Sequence, residues 1–296
     1  MEISLPKKPR VLMLTDVPNW SFDITARALK PYLEDEFDIT ILPVSEQPEL
    51  DESQFDLAHI YGVQQTYHRK FFRGKAKIVM GVNGLIWEDE GMTADELYDQ
   101  YLRDAHALIV VNQFLLQSLQ QLPIPVYLYH QGVDTKHFTL GPPRSGPLIA
   151  GWAGNTTRPI KQFHMTQEAC DGTCELKIAD GSLSQDEMAQ FYHGIDIILS
   201  SSRLEGCPRP AIEAMSCGKF PVTFQIGVMP EVVTHGINGL LVETQSVEAL
   251  RGAVEWCKDH RDHVRSMAYV NRERMCASRD WSIAARRIAT IYNQIL

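Results

Sequence analysis

Two glutamates eight positions apart, Glu205 and Glu213, mark the part of this sequence where residue types and spacing point to chemistry, the segment 201–218, SSRLEGCPRPAIEAMSCG. A strand is expected to end near Ser200, and a loop to carry Glu205-Gly206-Cys207-Pro208. A helix then starts around Pro210, where proline suits the first turn. The free N–H groups of that turn, reinforced by the helix dipole, form a site for an anion. Glu213 follows one turn down, between Ala211-Ile212 and Ala214-Met215. A lone carboxylate is costly to bury in so apolar a helix, so it should meet a hydrogen-bonding partner at a cleft. A vicinal diol such as a ribose suits the two oxygens of a carboxylate. Glu205, ahead of the helix, would sit beyond the phosphate position and nearer a sugar. The plainer alternative is a helix-start glutamate complementing the dipole and a loop glutamate in solvent.

The same stretch resembles the E-x(7)-E signature of the retaining family-4 glycosyltransferases (glycosyl transferases group 1), which adopt the GT-B fold. It reads Glu205-Gly206-Cys207-Pro208-Arg209-Pro210-Ala211-Ile212-Glu213-Ala214-Met215-Ser216-Cys217-Gly218, then Pro221-Val222. Gly227-Val228-Met229-Pro230-Glu231-Val232-Val233 and Gly236-Ile237-Asn238-Gly239-Leu240-Leu241-Val242 continue the match in order and spacing. Gly132-Val133-Asp134-Thr135-Lys136-His137-Phe138 is similar to the family segment that closes the first domain. Gly151-Trp152-Ala153-Gly154-Asn155, followed by Lys161, is similar to the opening of the second. The resemblance implies that an arginine and a lysine in that opening neutralise a donor diphosphate. Lys161 fits the lysine; Asn155 stands at the arginine position, and Arg158 is the candidate to replace it. It further implies that Gly206, Cys207, Pro208 and Arg209 line the donor site with Glu213, and that Glu205 and Lys161 act at the reacting end.

The first half departs more from the family. Where a Gly-Gly turn often follows the first strand, this chain has Asp16-Val17-Pro18-Asn19-Trp20-Ser21-Phe22-Asp23. Asn83, in Gly81-Val82-Asn83-Gly84, replaces a frequent cleft histidine. Asn19, Trp20 and Asn83 end strands at the expected cleft and are candidate substrate contacts. The plainer alternative for Asn83 is that it closes a turn before Gly84. His59, His68 and His106 have no partners at ligand or triad spacing and read as packing or surface residues.

These residues need a scaffold, and short apolar runs alternate with amphipathic segments almost from the start. Strands are expected at 10–15, 37–42, 56–61, 77–82, 107–111 and 126–130, with helices near 21–33, 65–72, 93–104 and 112–121. Such alternation means βαβ units and a parallel sheet. The Pro/Gly-rich run GPPRSGP at 141–147 reads as a linker. Strands then resume at 148–153, 175–179, 195–200, 220–223 and 239–242. Helices are expected at 160–170, 184–192, 210–217 and 245–258, and through the last 35 residues. The expected fold class is α/β, two Rossmann-like doubly wound domains, 1–143 and 144–296, with a cleft between them at the carboxyl ends of the strands. By resemblance, the helix 281–296 packs back on the first domain.

Bulk properties limit the alternatives. At 296 residues, 44% hydrophobic and 22% charged, the chain suits two ordinary globular domains. No apolar run reaches transmembrane length, and the opening MEISLPKKPR runs straight into VLMLTD, unlike a signal peptide. The six cysteines show no C-x-x-C pairing, which fits reduced thiols and a cytoplasmic location. Residues 1–143 carry 12 lysines and arginines against 20 aspartates and glutamates, an unfavourable balance for nucleic acid. The basic run 68–77, HRKFFRGKAK, is the local exception. It could touch the cytoplasmic face of an anionic membrane, or be a solvated helix end with Phe71 and Phe72 tucked inward.

The implied reaction moves a sugar from a UDP- or GDP-type nucleotide sugar to a glycan, lipid-linked or small-molecule acceptor, with retention. Such a hexosyltransferase-type enzyme would use the donor as co-substrate and need no cofactor. With no Asp-x-Asp between the domains, the helix start and Lys161 would supply the positive charge without a metal. The rivals are a nucleotide-sugar 2-epimerase, which would need acid/base carboxylates in the first domain, and a non-catalytic nucleotide-binding protein.

Overall fold

The computed structural model describes residues 7–296; the first six residues of the opening MEISLPKKPR lie outside the described residues. The chain divides into two units, Met1–Gly132 with Trp281–Leu296, and Val133–Asp280. Residues 133–147, including the GPPRSGP run, thus go with the second unit.

The first unit runs β1 (Arg10–Thr15), α1 (Ser21–Leu33), β2 (Asp38–Pro43), β3 (Leu57–Tyr61), β4 (Lys77–Val82), α2 (Ile86–Asp89), α3 (Ala94–Leu97), β5 (Ala107–Val110), α4 (Gln113–Leu119) and β6 (Val126–Leu128). The strands form one sheet in the order β2-β1-β3-β4-β5-β6, every pair parallel. Val11–Leu14, Leu57–Ile60 and Ala107–Val110 are buried throughout, as expected of strands covered on both faces.

The second unit runs β7 (Ile149–Ala153), α5 (Phe163–Cys170), β8 (Glu175–Ala179), α6 (Gln185–His193), β9 (Ile197–Ser200), α7 (Arg209–Ser216), β10 (Phe220–Phe224), α8 (Met229–Val232), β11 (Leu240–Val242), α9 (Val247–Asp259), α10 (Arg261–Ser266) and α11 (Ala268–Ser278). Its parallel sheet has the order β11-β10-β9-β7-β8. The final helix, α12 (Trp281–Ile295), buries Trp281, Ala284, Ala285, Ile288, Ile291 and Tyr292 in the core of the first unit.

Both sheets start with the same winding. The second strand lies on one side of the first and the third on the other, so the chain reverses direction across the sheet between β1 and β3, and again between β7 and β9. Loops leaving the carboxyl ends of such neighbours diverge and leave a crevice, where ligands bind in open α/β sheets.

Two local expectations are corrected. The segment 65–72 forms a single 3-10 turn, Tyr67–Lys70, instead of a helix. The Arg73 guanidinium donates to the carbonyls of Arg69, Phe72 and Lys70 (2.9, 2.8 and 2.9 Å), satisfying groups that a further helical turn would have used. The last 35 residues are not one helix but parts of three, interrupted at Met267 and at Arg279-Asp280. Arg279 leaves helical geometry (φ −130°) and its carbonyl accepts from Val133 N–H (2.7 Å).

Candidate active site at the carboxyl ends of β7 and β9

Lys161 follows β7 and Glu205 follows β9, so the winding of the second sheet brings two residues 44 positions apart to one crevice. Short polar bonds hold the two loops together. Ser201 Oγ donates to the carbonyls of Lys161 and Gln162 (3.0 and 3.1 Å) and accepts from Thr166 Oγ1 (2.9 Å). Arg203 N–H donates to Ile160 O (2.8 Å). Lys161 Nζ then forms an ion pair with Glu205 Oε1, which also accepts from Ser202 Oγ (3.0 Å). Both side chains are mostly buried, 20% and 17% exposed, where a charge pair is stronger than at the surface.

The floor and rim of this crevice come from Trp152 and Ala153 of β7, Ser202, Pro208, and Pro210 and Ala211 of α7. The free space is about 10 Å³, room for about one water, and the lysine–glutamate pair is part of its lining.

α7 begins at Arg209, with Pro208 as its N-cap and Pro210 in its first turn. No side chain caps this end, but Pro210 carries no N–H and the N–H groups of Ala211 and Ile212 both donate to Pro208 O (3.0 and 3.3 Å), so the first turn offers an anion chiefly the Arg209 N–H and not the several free donors expected. Glu213 lies 9% exposed one turn in. Its Oε2 accepts from the Tyr192 hydroxyl (2.8 Å) and its Oε1 pairs with Arg209 (3.2 Å). Burial, then the Glu213 charge, holds the Tyr192 phenol well above its usual value, so it remains an O–H donor. Two contacts leave part of the carboxylate's acceptor capacity for a further donor.

Other expected contacts sit around this crevice in different states. Gly206 is buried, and Pro208 with it. The Cys207 thiol is pushed up to about 12 by burial, against the charges of Arg279 and Arg209, so it is neutral at physiological pH. Asn155 Oδ1 accepts from Thr157 N–H and Oγ1 (2.9 and 2.7 Å), shaping its own turn. Arg158 is exposed on the same loop.

In the first unit, Asn19 and Trp20 follow β1, at the corresponding point of that sheet. Asn19 takes left-handed geometry (φ 63°) and donates its N–H to Asp23 Oδ2 (2.9 Å), while Trp20 is 62% exposed. Asn83 follows β4, and its Nδ2 is buried without a partner, as are Asp16 Oδ1 and Gln65 Oε1 at the ends of β1 and β3. His59 is a packing residue: it stacks on Tyr61 (4.1 Å between centroids), bonds Tyr292 Oη through Nδ1 (2.7 Å), and is lowered to about 3 by burial.

Sequence reasoning missed Ser201, Ser202, Tyr192 and the role of Gly227. The two serines directly follow an apolar strand and were legible as small hydroxyls at a sheet's carboxyl end. Tyr192 lies on another helix, with no signal in the sequence. Gly227 (φ 53°) lets Val228 N–H reach Gly206 O (3.0 Å); a Cβ there would come within 2.6 Å of Glu205 O.

Two all-parallel, doubly wound units, the second with an anion-type helix start beside a lysine–carboxylate pair, define a GT-B fold. Residues 179–274 match the family described as glycosyl transferases group 1. A D-inositol 3-phosphate glycosyltransferase of Thermobispora bispora is 27% identical over 131 residues, 43% of this chain and 30% of that protein. An alpha-maltose-1-phosphate synthase of Mycobacterium tuberculosis is 23% identical over 246 residues, 64% of each. The chain thus spans between about a third and two thirds of these curated relatives. Among solved structures, sucrose-phosphate synthase from Thermosynechococcus elongatus superposes with a TM-score of 0.81 at 14% identity, covering 97% of this chain and 99% of that one. HepE from Anabaena, solved with UDP and glucose, superposes at 0.75, also 14% identical, covering 97% and 100%.

Proposed function

We propose that the chain is a retaining glycosyltransferase that takes a UDP- or GDP-type nucleotide sugar and passes the sugar to a glycan, lipid-linked or small-molecule acceptor. The observation that carries this reading is the meeting of Lys161 and Glu205 beside the uncapped start of α7. Relatives of the same family are named as glycosyltransferases, and HepE has been solved with UDP-glucose, which supports a nucleotide-sugar donor. In this reading Lys161 leaves Glu205 for the donor diphosphate, and the start of α7, through its dipole and the Arg209 N–H, faces the remaining negative charge. Both interactions strengthen as the nucleoside diphosphate departs, which is what lowers the barrier. Released from the lysine, Glu205 accepts from hydroxyls of the donor sugar, and Ser202 keeps the carboxylate aimed. Glu213, braced by Tyr192 and Arg209, takes the ribose hydroxyls. Arg158 is the second cation for the diphosphate. The same cations make the transfer metal-independent. Asn19, Trp20 and Asn83 are the candidate substrate contacts of the first unit, and the protein would act in the cytoplasm.

The test is a thermal-shift screen of the full chain against UDP, GDP and their common sugar derivatives, followed by NMR of the released sugar. The expected result is selective stabilisation by one nucleotide and slow donor hydrolysis that first yields the retained anomer. A chain that no nucleotide stabilises, or that yields the inverted anomer, contradicts the proposal.

A further inference from the structure

The sheet of the first unit has a second constructed concavity, at its opposite, amino-terminal edge. A cavity of about 550 Å³ opens beside the starts of β4 and β5, within the usual range for small-molecule pockets. Its walls are the turn after β3, from His68 to Gly74, and the segment from Asp99 to His106 that precedes β5.

The unusual wall residue is His68. It is fully buried, yet neither ring nitrogen has a hydrogen-bond partner. Asp104 Oδ2 lies 4.0 Å from Nε2, too far for a hydrogen bond. Buried polar groups are nearly always paired, so two unpaired nitrogens on a residue in the wall of a cavity call for a partner, which a ligand can supply once the wall around the ring opens. Burial lowers the ring to about 4, Asp104 opposing and Arg69 adding, so at neutral pH it offers one N–H donor and one acceptor.

Charge around the cavity selects the partner. Arg69 pairs with Asp104, and Arg103 with Asp99 (2.8 Å). Among the described residues the third arginine, Arg73, bonds only backbone carbonyls through its guanidinium and has no carboxylate partner. The loop that carries it is held from behind by Glu52, which accepts from the N–H groups of Arg73, Lys75 and Ala76 (2.7, 2.6 and 2.9 Å). The lining thus has three guanidiniums against two carboxylates, on a loop already ordered. Phe72 is buried in the core and Phe71 packs against it, so this basic run presents a pocket and not an aromatic face.

We propose that this cavity is a second ligand site, for a phosphate monoester, with Arg73 taking the phosphate and His68 completing the hydrogen bonding from below. A neutral imidazole can donate to a phosphate oxygen and accept from a hydroxyl of the same ligand, which suits a phosphorylated sugar or polyol. The headgroup of phosphatidate, itself a phosphate monoester, offers the same chemistry. The proposal does not depend on the transferase reading, because no residue is shared between the two sites.

The test is calorimetric titration of the full chain with glucose 6-phosphate at low salt, alongside flotation with phosphatidylcholine vesicles with and without phosphatidic acid. Saturable binding of glucose 6-phosphate, weakened at least tenfold by His68→Phe and by Arg73→Gln, is the expected result. Binding to phosphatidate vesicles alone, lost in the same variants, would assign the monoester to a lipid headgroup. Arg73 is exposed, so Arg73→Gln should fold and decides the matter even where His68→Phe does not. The thermal shift given by the nucleotide should be unchanged in both variants. If neither probe binds, or if both variants bind like the wild type, the proposal is overturned.

Discussion

At the scale of single residues, the two signature glutamates have different neighbours and should fail differently. Glu213 is braced on both oxygens, by Tyr192 and Arg209, and would meet the nucleotide similarly before and during transfer. Glu213→Gln should therefore chiefly raise the donor KM. Glu205, paired with Lys161, would in the proposed reaction face the reacting end, and Glu205→Gln should then chiefly lower kcat. Steady-state kinetics with the two patterns exchanged would refute the assignment. Asn83 gives a second residue-scale prediction. Its Nδ2 is buried without a partner, which a sugar hydroxyl would supply. Asn83→Ala should cost about 1–3 kcal/mol in kcat/KM with no loss of stability, since the folded protein loses no side-chain bond through that donor. A drop in melting temperature at wild-type kcat/KM would make Asn83 a structural residue instead.

At the scale of elements, Asp196 ties three pieces of the second unit together. Its buried carboxylate accepts from Ile149 N–H at the start of β7 (2.9 Å), from Arg265 in α10 (2.9 Å) and from Arg144 (3.2 Å). Burial alone would raise its pKa; the Arg265 bond, the Ile149 N–H and the Arg144 charge outweigh it and lower it. A carboxyl lowered on folding contributes stability that is present above its unfolded pKa of about 4 and lost as pH falls through the folded value. Asp196→Asn should therefore cost about 3 kcal/mol at pH 7 by urea unfolding, and the gap to wild type should close at acid pH. A gap that is constant with pH would mean the charge contributes nothing. The loop contact at Gly227 belongs to the same scale. Gly227→Ala introduces a Cβ into positive φ and against the carbonyls of Glu205 and Gly206. It should lower kcat/KM tenfold or more through misplaced Glu205, with stability reduced by about 1–3 kcal/mol. Unchanged kinetics would show that the Glu205 loop does not depend on this approach.

At the scale of the whole molecule, charge supply becomes the question. Among the described residues, no group of three or more His, Cys, Asp and Glu is placed to hold a metal ion. With Lys161, Arg158 and the α7 start as the cations, EDTA should change the transfer rate by less than tenfold, and a strict requirement for Mg²⁺ or Mn²⁺ would remove the proposed charge supply. No helix among the described residues is long and apolar enough to cross a membrane.

What the sequence determined by itself was the alternation of the elements and the identity of the chemically capable residues. All eleven expected strands form, and the central ones coincide with apolar runs that parallel sheets bury on both faces, while the edge strands β2, β6 and β8 are only partly buried. Glu205, Glu213 and the helix start at 209–210 were legible because strand–loop–helix order, proline placement and an apolar helical run are all local signals. Local signals were weakest where the backbone had competing partners: Arg73 ended the expected helix at 65–72 by occupying its carbonyls, and the carbonyl of Arg279 broke the terminal one by bonding Val133. Only the tertiary structure paired Lys161 with Glu205, Tyr192 with Glu213, and left the buried ring of His68, in the wall of a cavity, without a hydrogen-bond partner. Each of those facts depends on strand order and on which helix covers which face, and sequence spacing carries no record of either.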